Sequence, residues 1–315
     1  MRYFRAFPWI VQLIYFVSIF FLLTGAASLF IPLVIPKFTG YGLDQIMGIN
    51  AESPAGLVQA AIITQGVSSF FMFFLPGFLF AFLTHPNPSG YLGLRAPGKK
   101  IQWLLVAGMM IGAIPVLELI DGLISQVNLG PGLKAMQTAN DNMMAGMLKM
   151  PTTVAFIRAF VVMAIIPALG EELFFRGALM RLIKKRNARM ATPILLSALI
   201  FAAAHGNIYG FVSIFLAGIL LAVIYNLTGS LWCSIFAHLL FNGFQVILTF
   251  AGNFSPAIKT FMSNTGIPVG LVTGGAILFA VSFYLLWKEK TPLPGNWADD
   301  FSKDELPEFD FGEQQ

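Results

Sequence analysis

Two adjacent glutamates, Glu171 and Glu172, interrupt an apolar run that reaches back to Val154. A carboxylate inside a lipid-spanning segment costs several kcal/mol or more, so such residues are rare and mark function by default. The chain has three histidines, and two of them, His205 and His238, also sit in apolar runs. A glutamate beside a histidine can activate water as a general base. A second histidine, helped by an asparagine, can donate hydrogen bonds to a developing oxyanion. His238 and Asn242 suit that pairing, because residues four apart project from one helix face. Together these groups suffice for amide hydrolysis. Alternatively, His205, His238 and a glutamate could hold a zinc ion that generates hydroxide. The soluble zinc-protease pattern H-E-x-x-H is absent, as is a G-x-S-x-G nucleophile elbow. Cys233 lies between Trp232 and Ser234 with nothing beside it to activate a thiolate.

The elements that must carry these groups are membrane helices. Residues are 57% hydrophobic and 11% charged, against about 25% charged in soluble domains. Thirty-two phenylalanines suit lipid-facing surfaces, and a single cysteine leaves no disulfide framework. The net charge of +4 does not mark a nucleic-acid partner, because the basic residues are confined to loops. A crossing needs roughly 20 apolar residues. About eight segments qualify, over 9–34, 57–83, 101–124, 152–180, 191–206, 211–227, 231–251 and 267–287, so an all-α polytopic fold is expected. Arg2 and Arg5 precede an apolar run too long for a cleaved signal, so the first segment is expected to stay as a span. The basic loops alternate: 1–8, 84–100 and 181–190 hold Lys and Arg without acids, and the loops between them hold few. This bias places both termini in the cytoplasm. Trp9, Trp103, Trp232 and Trp287 fall near the same ends.

Residues 1–290 therefore read as one integral membrane domain, with the chemistry concentrated over about 150–250. Residues 291–315 carry seven acids and one lysine and read as a disordered cytoplasmic tail. Segment 128–150 reads as a methionine-rich external loop with weak helical periodicity.

Depth arithmetic brings the polar residues together. Glu172 and His205 are equidistant from the middle of the basic turn 184–192, so the two arms of that hairpin carry them to equal depth. Glu172 lies 12 residues before Lys184, roughly 18 Å. His238 lies 8 residues after Ser230, roughly 12 Å. Glu172 and Arg176 are four apart and suit an ion pair. Glu171 points about 100° away around the helix, so one carboxylate can be held by arginine while the other faces a cavity.

Taken together, Glu171-Glu172-x-x-x-Arg176, Phe201-x-x-x-His205 and His238-x-x-x-Asn242 resemble the three motifs of the CPBP intramembrane proteases. That family includes the type II CAAX prenyl endopeptidases and the bacterial Abi proteins, some tied to bacteriocin self-immunity. The resemblance covers roughly residues 150–250. It implies an eight-span helical core with a cavity open to the cytoplasmic side. It implies an endopeptidase with Glu171 as base beside His205, and His238 with Asn242 as oxyanion stabilisers. Glu172 and Arg176 would organise the site. Its members have been described both as zinc-dependent and as metal-free glutamate proteases; a zinc here would fall to Glu171, His205 and His238. Asparagine is a poor zinc ligand, so a metal-free site is expected. The expected partners are membrane lipid and a peptide or protein substrate, lipid-modified or not, in a bacterial cell membrane.

Two other functions fit buried Glu and His residues. One is a proton-coupled transporter with a Glu/His relay, against which the residues cluster at one depth and no inverted repeat is visible. The other is a non-catalytic bacteriocin-immunity scaffold. Outside the cluster, Glu118 and Asp121 read as interfacial or stabilising, Arg158 as snorkelling, and His85 as a surface residue.

Overall fold

The computed structural model describes residues 3–187, 189–263 and 266–301, and among these every regular element is helical. The main helices in chain order are α1 (Trp9–Thr39), α2 (Ala55–Thr84), α3 (Ile101–Ile124), α4 (Pro131–Met147), α5 (Thr153–Lys184), α6 (Ala191–Ala204), α7 (Phe211–Thr228), α8 (Leu231–Gly252) and α9 (Val269–Lys288). All but α4 and α6 are long and apolar enough to cross a membrane, seven in all. The chain is an integral, multi-pass membrane protein. Large apolar side chains on the outer faces, such as Leu22, Leu29 and Leu33 of α1, are exposed as lipid contact requires.

Two elements differ from the sequence expectation. The short span expected over 191–206 is shorter still as a helix, since α6 has 14 residues. That covers roughly 21 Å, short of the ~30 Å hydrocarbon core. The helix stops because Gly206 turns the backbone left-handed, with φ of 62°, a conformation glycine adopts without a Cβ penalty. His205 is thereby left at the tip of the helix. Segment 128–150, expected as a loop, contains the 17-residue α4. Gly130, at φ of 96°, turns the chain there, and Pro131 takes the first helical position, where its missing N–H is no loss.

α5 is the axis of the molecule. It contains two π-helical stretches, Val161–Ile165 and Glu172–Leu179, and α2 contains one at Phe70–Phe74. The stretch Val161–Ile165 ends two residues before Pro167, and Phe70–Phe74 ends two residues before Pro76. Proline removes one helical hydrogen bond and crowds the preceding turn, which disturbs the regular helix there. α2 lies directly on α5. A Cβ on Gly77 would stand 3.0 Å from the Phe174 backbone nitrogen, and one on Gly170 would stand 3.1 Å from that of Phe74. Only glycine permits this approach. An aromatic core from α1, α2, α5 and α6, including Phe16, Phe80, Phe174, Phe175 and Phe201, surrounds the crossing. α7 and α8 join α3 through a second core around Met109, Leu221 and Ala237, and α9 lies along α3.

The segment expected as a disordered tail is packed at its start. The Thr291 N–H donates to Leu227 O at 2.8 Å and the Leu293 N–H to Asn226 O at 3.0 Å. Trp297 is buried against Tyr225. Asp300 pairs with Lys185 and accepts from Gln12 Nε2 at 3.1 Å. Arg181 donates to Tyr91 O and to Asp299 O, each at 3.0 Å. Burial pushes the Lys185 pKa below the usual lysine range, against the opposing pull of Asp300. Residues 302–315 of the expected tail lie outside the described residues. Residues 291–301 thus strap the N-terminus, the end of α5 and the α7–α8 turn together at one end of the bundle.

Candidate active site

The chemistry-bearing residues converge where α5, α6 and α8 meet. Glu171 Oε2 lies 3.9 Å from His205 Nε2 and 3.8 Å from His238 Nε2. Both separations exceed hydrogen-bond length. Glu171 is 7% exposed, and its Oε2 is buried with no hydrogen-bond partner among the described residues. His238 is buried, whereas 32% of the His205 side chain is accessible. The site therefore opens on the His205 side, at the tip of the short α6.

Glu172 sits one residue away in opposite surroundings. It is fully buried and every bond it makes is short. Arg176 Nη1 donates to its Oε1 at 2.7 Å, Ser234 Oγ donates to its Oε2 at 2.6 Å, and His238 Nδ1 lies 3.0 Å from Oε1. The ion pair expected from the four-residue spacing is present. Arg176 is itself fully buried, gives a second bond to Gly218 O at 3.0 Å, and stacks 4.4 Å over the Phe201 ring. A buried charge is tolerated when paired and hydrogen-bonded in this way.

These contacts fix which ring nitrogens are free. His238 Nδ1 faces a carboxylate and His205 Nδ1 lies 2.8 Å from Phe201 O, an acceptor only. Each Nδ1 therefore carries its proton, and each Nε2 is turned toward Glu171. Asn242 lies one turn beyond His238 on α8, half-buried, and its amide makes no hydrogen bond among the described residues. Glu171, His205 and His238 are the zinc set read from the sequence. Among the described residues, no three His, Cys, Asp or Glu side chains form a metal-ligand group.

Five of the six residues singled out by sequence, Glu171, Glu172, Arg176, His205 and His238, are linked by short separations where the three helices meet, and Asn242 lies one turn further along α8. Sequence reasoning missed Ser234 and Gly218. Ser234 could have been found, because it precedes His238 by four residues and shares its face. Gly218 acts through a backbone carbonyl, which leaves no trace in residue type. Of the remaining polar residues, Asp121 accepts from Ser213 Oγ at 2.9 Å, consistent with a stabilising role, and His85 is held by Arg5 and Asn87.

Residues 153–244 match the family model described as type II CAAX prenyl endopeptidase Rce1-like. The matched stretch runs from the start of α5 to just past Asn242, and so contains every residue of the site. It agrees with the resemblance carried by the three motifs. A search of curated proteins and a search of solved structures return no match to the chain. The match supports a protease of the intramembrane kind, acting on peptide substrates.

Proposed function

We propose that the protein is an intramembrane endopeptidase in which Glu171 activates the attacking water. The observation that carries this reading is the Glu171 carboxylate: buried, free of Arg176, and aimed between two imidazole Nε2 atoms at 3.8 and 3.9 Å. Both separations are beyond direct hydrogen-bond length, where a bridging water takes part. Such a water donates one proton to Glu171 and the other to the His205 Nε2 lone pair. Its oxygen is then directed at a peptide carbonyl. As the C–O bond forms, the first proton passes to Glu171. Glu171 returns it to the leaving amine as the C–N bond breaks, which balances the reaction.

The oxyanion falls to His238 and Asn242. Donation from His238 Nε2 requires protons on both ring nitrogens, giving a cation held between Glu172 and Glu171. Asn242, with its amide uncommitted, supplies the second donor. Glu172, Arg176 and Ser234 hold the His238 ring in place. No step needs a metal. The substrate reaches the site from the open His205 side, and a CAAX-like, lipid-modified chain in a bacterial cell membrane is the substrate class we favour.

Purified protein tested on a membrane-peptide library decides the matter. Wild type is expected to cleave and a Glu171→Gln protein to be inactive with an unchanged melting temperature. Cleavage by the Glu171→Gln protein above a tenth of the wild-type rate would overturn the assignment.

A further inference from the structure

A groove of about 600 Å³ lies between α3, α8, α9 and the short helix Pro256–Ser263. It shares no lining residue with the Glu171 centre. Its walls include Ile111, Ile114, Leu248, Phe261, Leu271 and Leu278, and two polar side chains reach it, Glu118 and Gln245. Ile111 lies 13 residues from the end of α3 and Glu118 lies 6, so the groove runs from about 9 Å to about 20 Å below that end. That depth suits a single lipid chain laid along the helices. The volume falls within the roughly 300–1,000 Å³ of ligand pockets.

Glu118 gives the groove its chemistry. Its carboxylate has no hydrogen bond or ion pair among the described residues, whereas Asp121, three residues on, is engaged by Ser213. An acid on a membrane span without a protein partner calls for a cation. α3 has 24 residues, roughly 36 Å, so its ends overhang the ~30 Å hydrocarbon core. Glu118 therefore stands within reach of lipid headgroups. Lys259, two residues from Phe261 on the short helix, is exposed at the same end of the bundle and supplies positive charge there.

We propose that this groove is a binding site for a phospholipid with a primary-ammonium headgroup. One chain follows the apolar walls, the ammonium donates to Glu118, and the phosphate faces Lys259. A quaternary ammonium cannot donate that hydrogen bond, and an anionic headgroup without an amine would meet the carboxylate unfavourably. Headgroup selectivity therefore separates this site from general lipid solvation of the helices.

Native mass spectrometry of the full-length protein can test it, with phosphatidylethanolamine, phosphatidylcholine and phosphatidylglycerol of equal chain length supplied together. Wild type should retain one phosphatidylethanolamine about tenfold over the other two, the worth of one charge-assisted hydrogen bond. Glu118→Gln should abolish the preference while leaving total lipid occupancy similar. Gly274→Leu should lower occupancy by all three lipids, because a Cβ at Gly274 meets nothing within 4 Å and the side chain can fill the groove without moving a helix. Equal retention of the three lipids by wild type would overturn the site. So would a preference that survives Glu118→Gln, or one for phosphatidylglycerol. Glu118 is exposed, so its variant folds and keeps the test decisive even where Gly274→Leu is poorly expressed.

Discussion

Glu171 and Glu172 are neighbours in sequence and opposites in environment. Glu172 accepts from Arg176 and Ser234 and lies against His238, while Glu171 Oε2 has no partner. Substituting them should separate catalysis from stability. Glu171→Gln should cut hydrolysis by ~10²–10⁴-fold, the usual weight of a general base, and leave the detergent melting temperature unchanged; turnover above a tenth of wild type would remove Glu171 from the mechanism. Arg176→Ala should instead lower yield and melting temperature, because it strands Glu172 in the interior at roughly 3–5 kcal/mol. An Arg176→Ala protein as stable as wild type but inactive would place the arginine on the substrate. Asn242→Ala should reduce kcat by ~10²–10³-fold, the usual loss for one oxyanion donor, with KM little changed, and chelation followed by dialysis should leave wild-type activity intact. Zinc-restored activity after chelation, with a mild Asn242→Ala effect, would reverse that reading. The ion pair and the shared depth of the two histidines were legible because both follow from helical spacing. The grip of Gly218 O on Arg176 was not, since any residue has a carbonyl.

At the scale of elements, α5 does two jobs that its sequence displays unequally. Its span is plain from the apolar run, and the observed helix begins within a residue of the expected start. Its π-helical stretches were not legible, because the prolines that accompany them signal a local disturbance without specifying its form. The end of α6 was not legible for a related reason: apolar residues continue up to His205, and only the backbone shows that Gly206 ends the helix there. The short helix is what brings a histidine to the level of Glu171. The close crossing of α2 and α5 carries a further prediction. Gly77→Leu drives a side chain into the Phe174 backbone, and overpacking of this kind costs typically 1–3 kcal/mol. We expect a lower melting temperature together with reduced activity, since α5 must shift and Glu171 moves with it. Unchanged melting would mean that the helices part without resistance.

At the scale of the whole molecule, the loops read as cytoplasmic from their basic residues share one end of the bundle. Lys99 pairs with Glu289, Arg95 donates to Gly229 O, and Lys185 pairs with Asp300. Reporter fusions after Gly98, after Arg189 and after Pro294 should accordingly all report the cytoplasm; external accessibility at Arg189 would break the topology. The acidic composition beyond Thr291 suggested a free tail, and composition could not reveal that Leu293 and Trp297 find buried seats. Asp300→Ala should lower the melting temperature, since a hydrogen bond to a charged group contributes about 1.5–3 kcal/mol. An unchanged melt would make the strap incidental.

The strap also sets an order on how the molecule is made. Synthesis delivers the N-terminus first, yet Arg5, Gln12 and Lys185 all meet Asp300, which emerges after the last span. Every helix can be threaded into the bilayer while this end is still unfastened. Closure then waits for Asp300 to leave the ribosome, and contacts so distant along the chain form slowly. A chain truncated after Lys290 would possess all the groups of the site and lack its fastening. Such a product should be inserted normally and then cleared by membrane quality control, a fate that pulse–chase labelling of the truncated and full-length chains can follow.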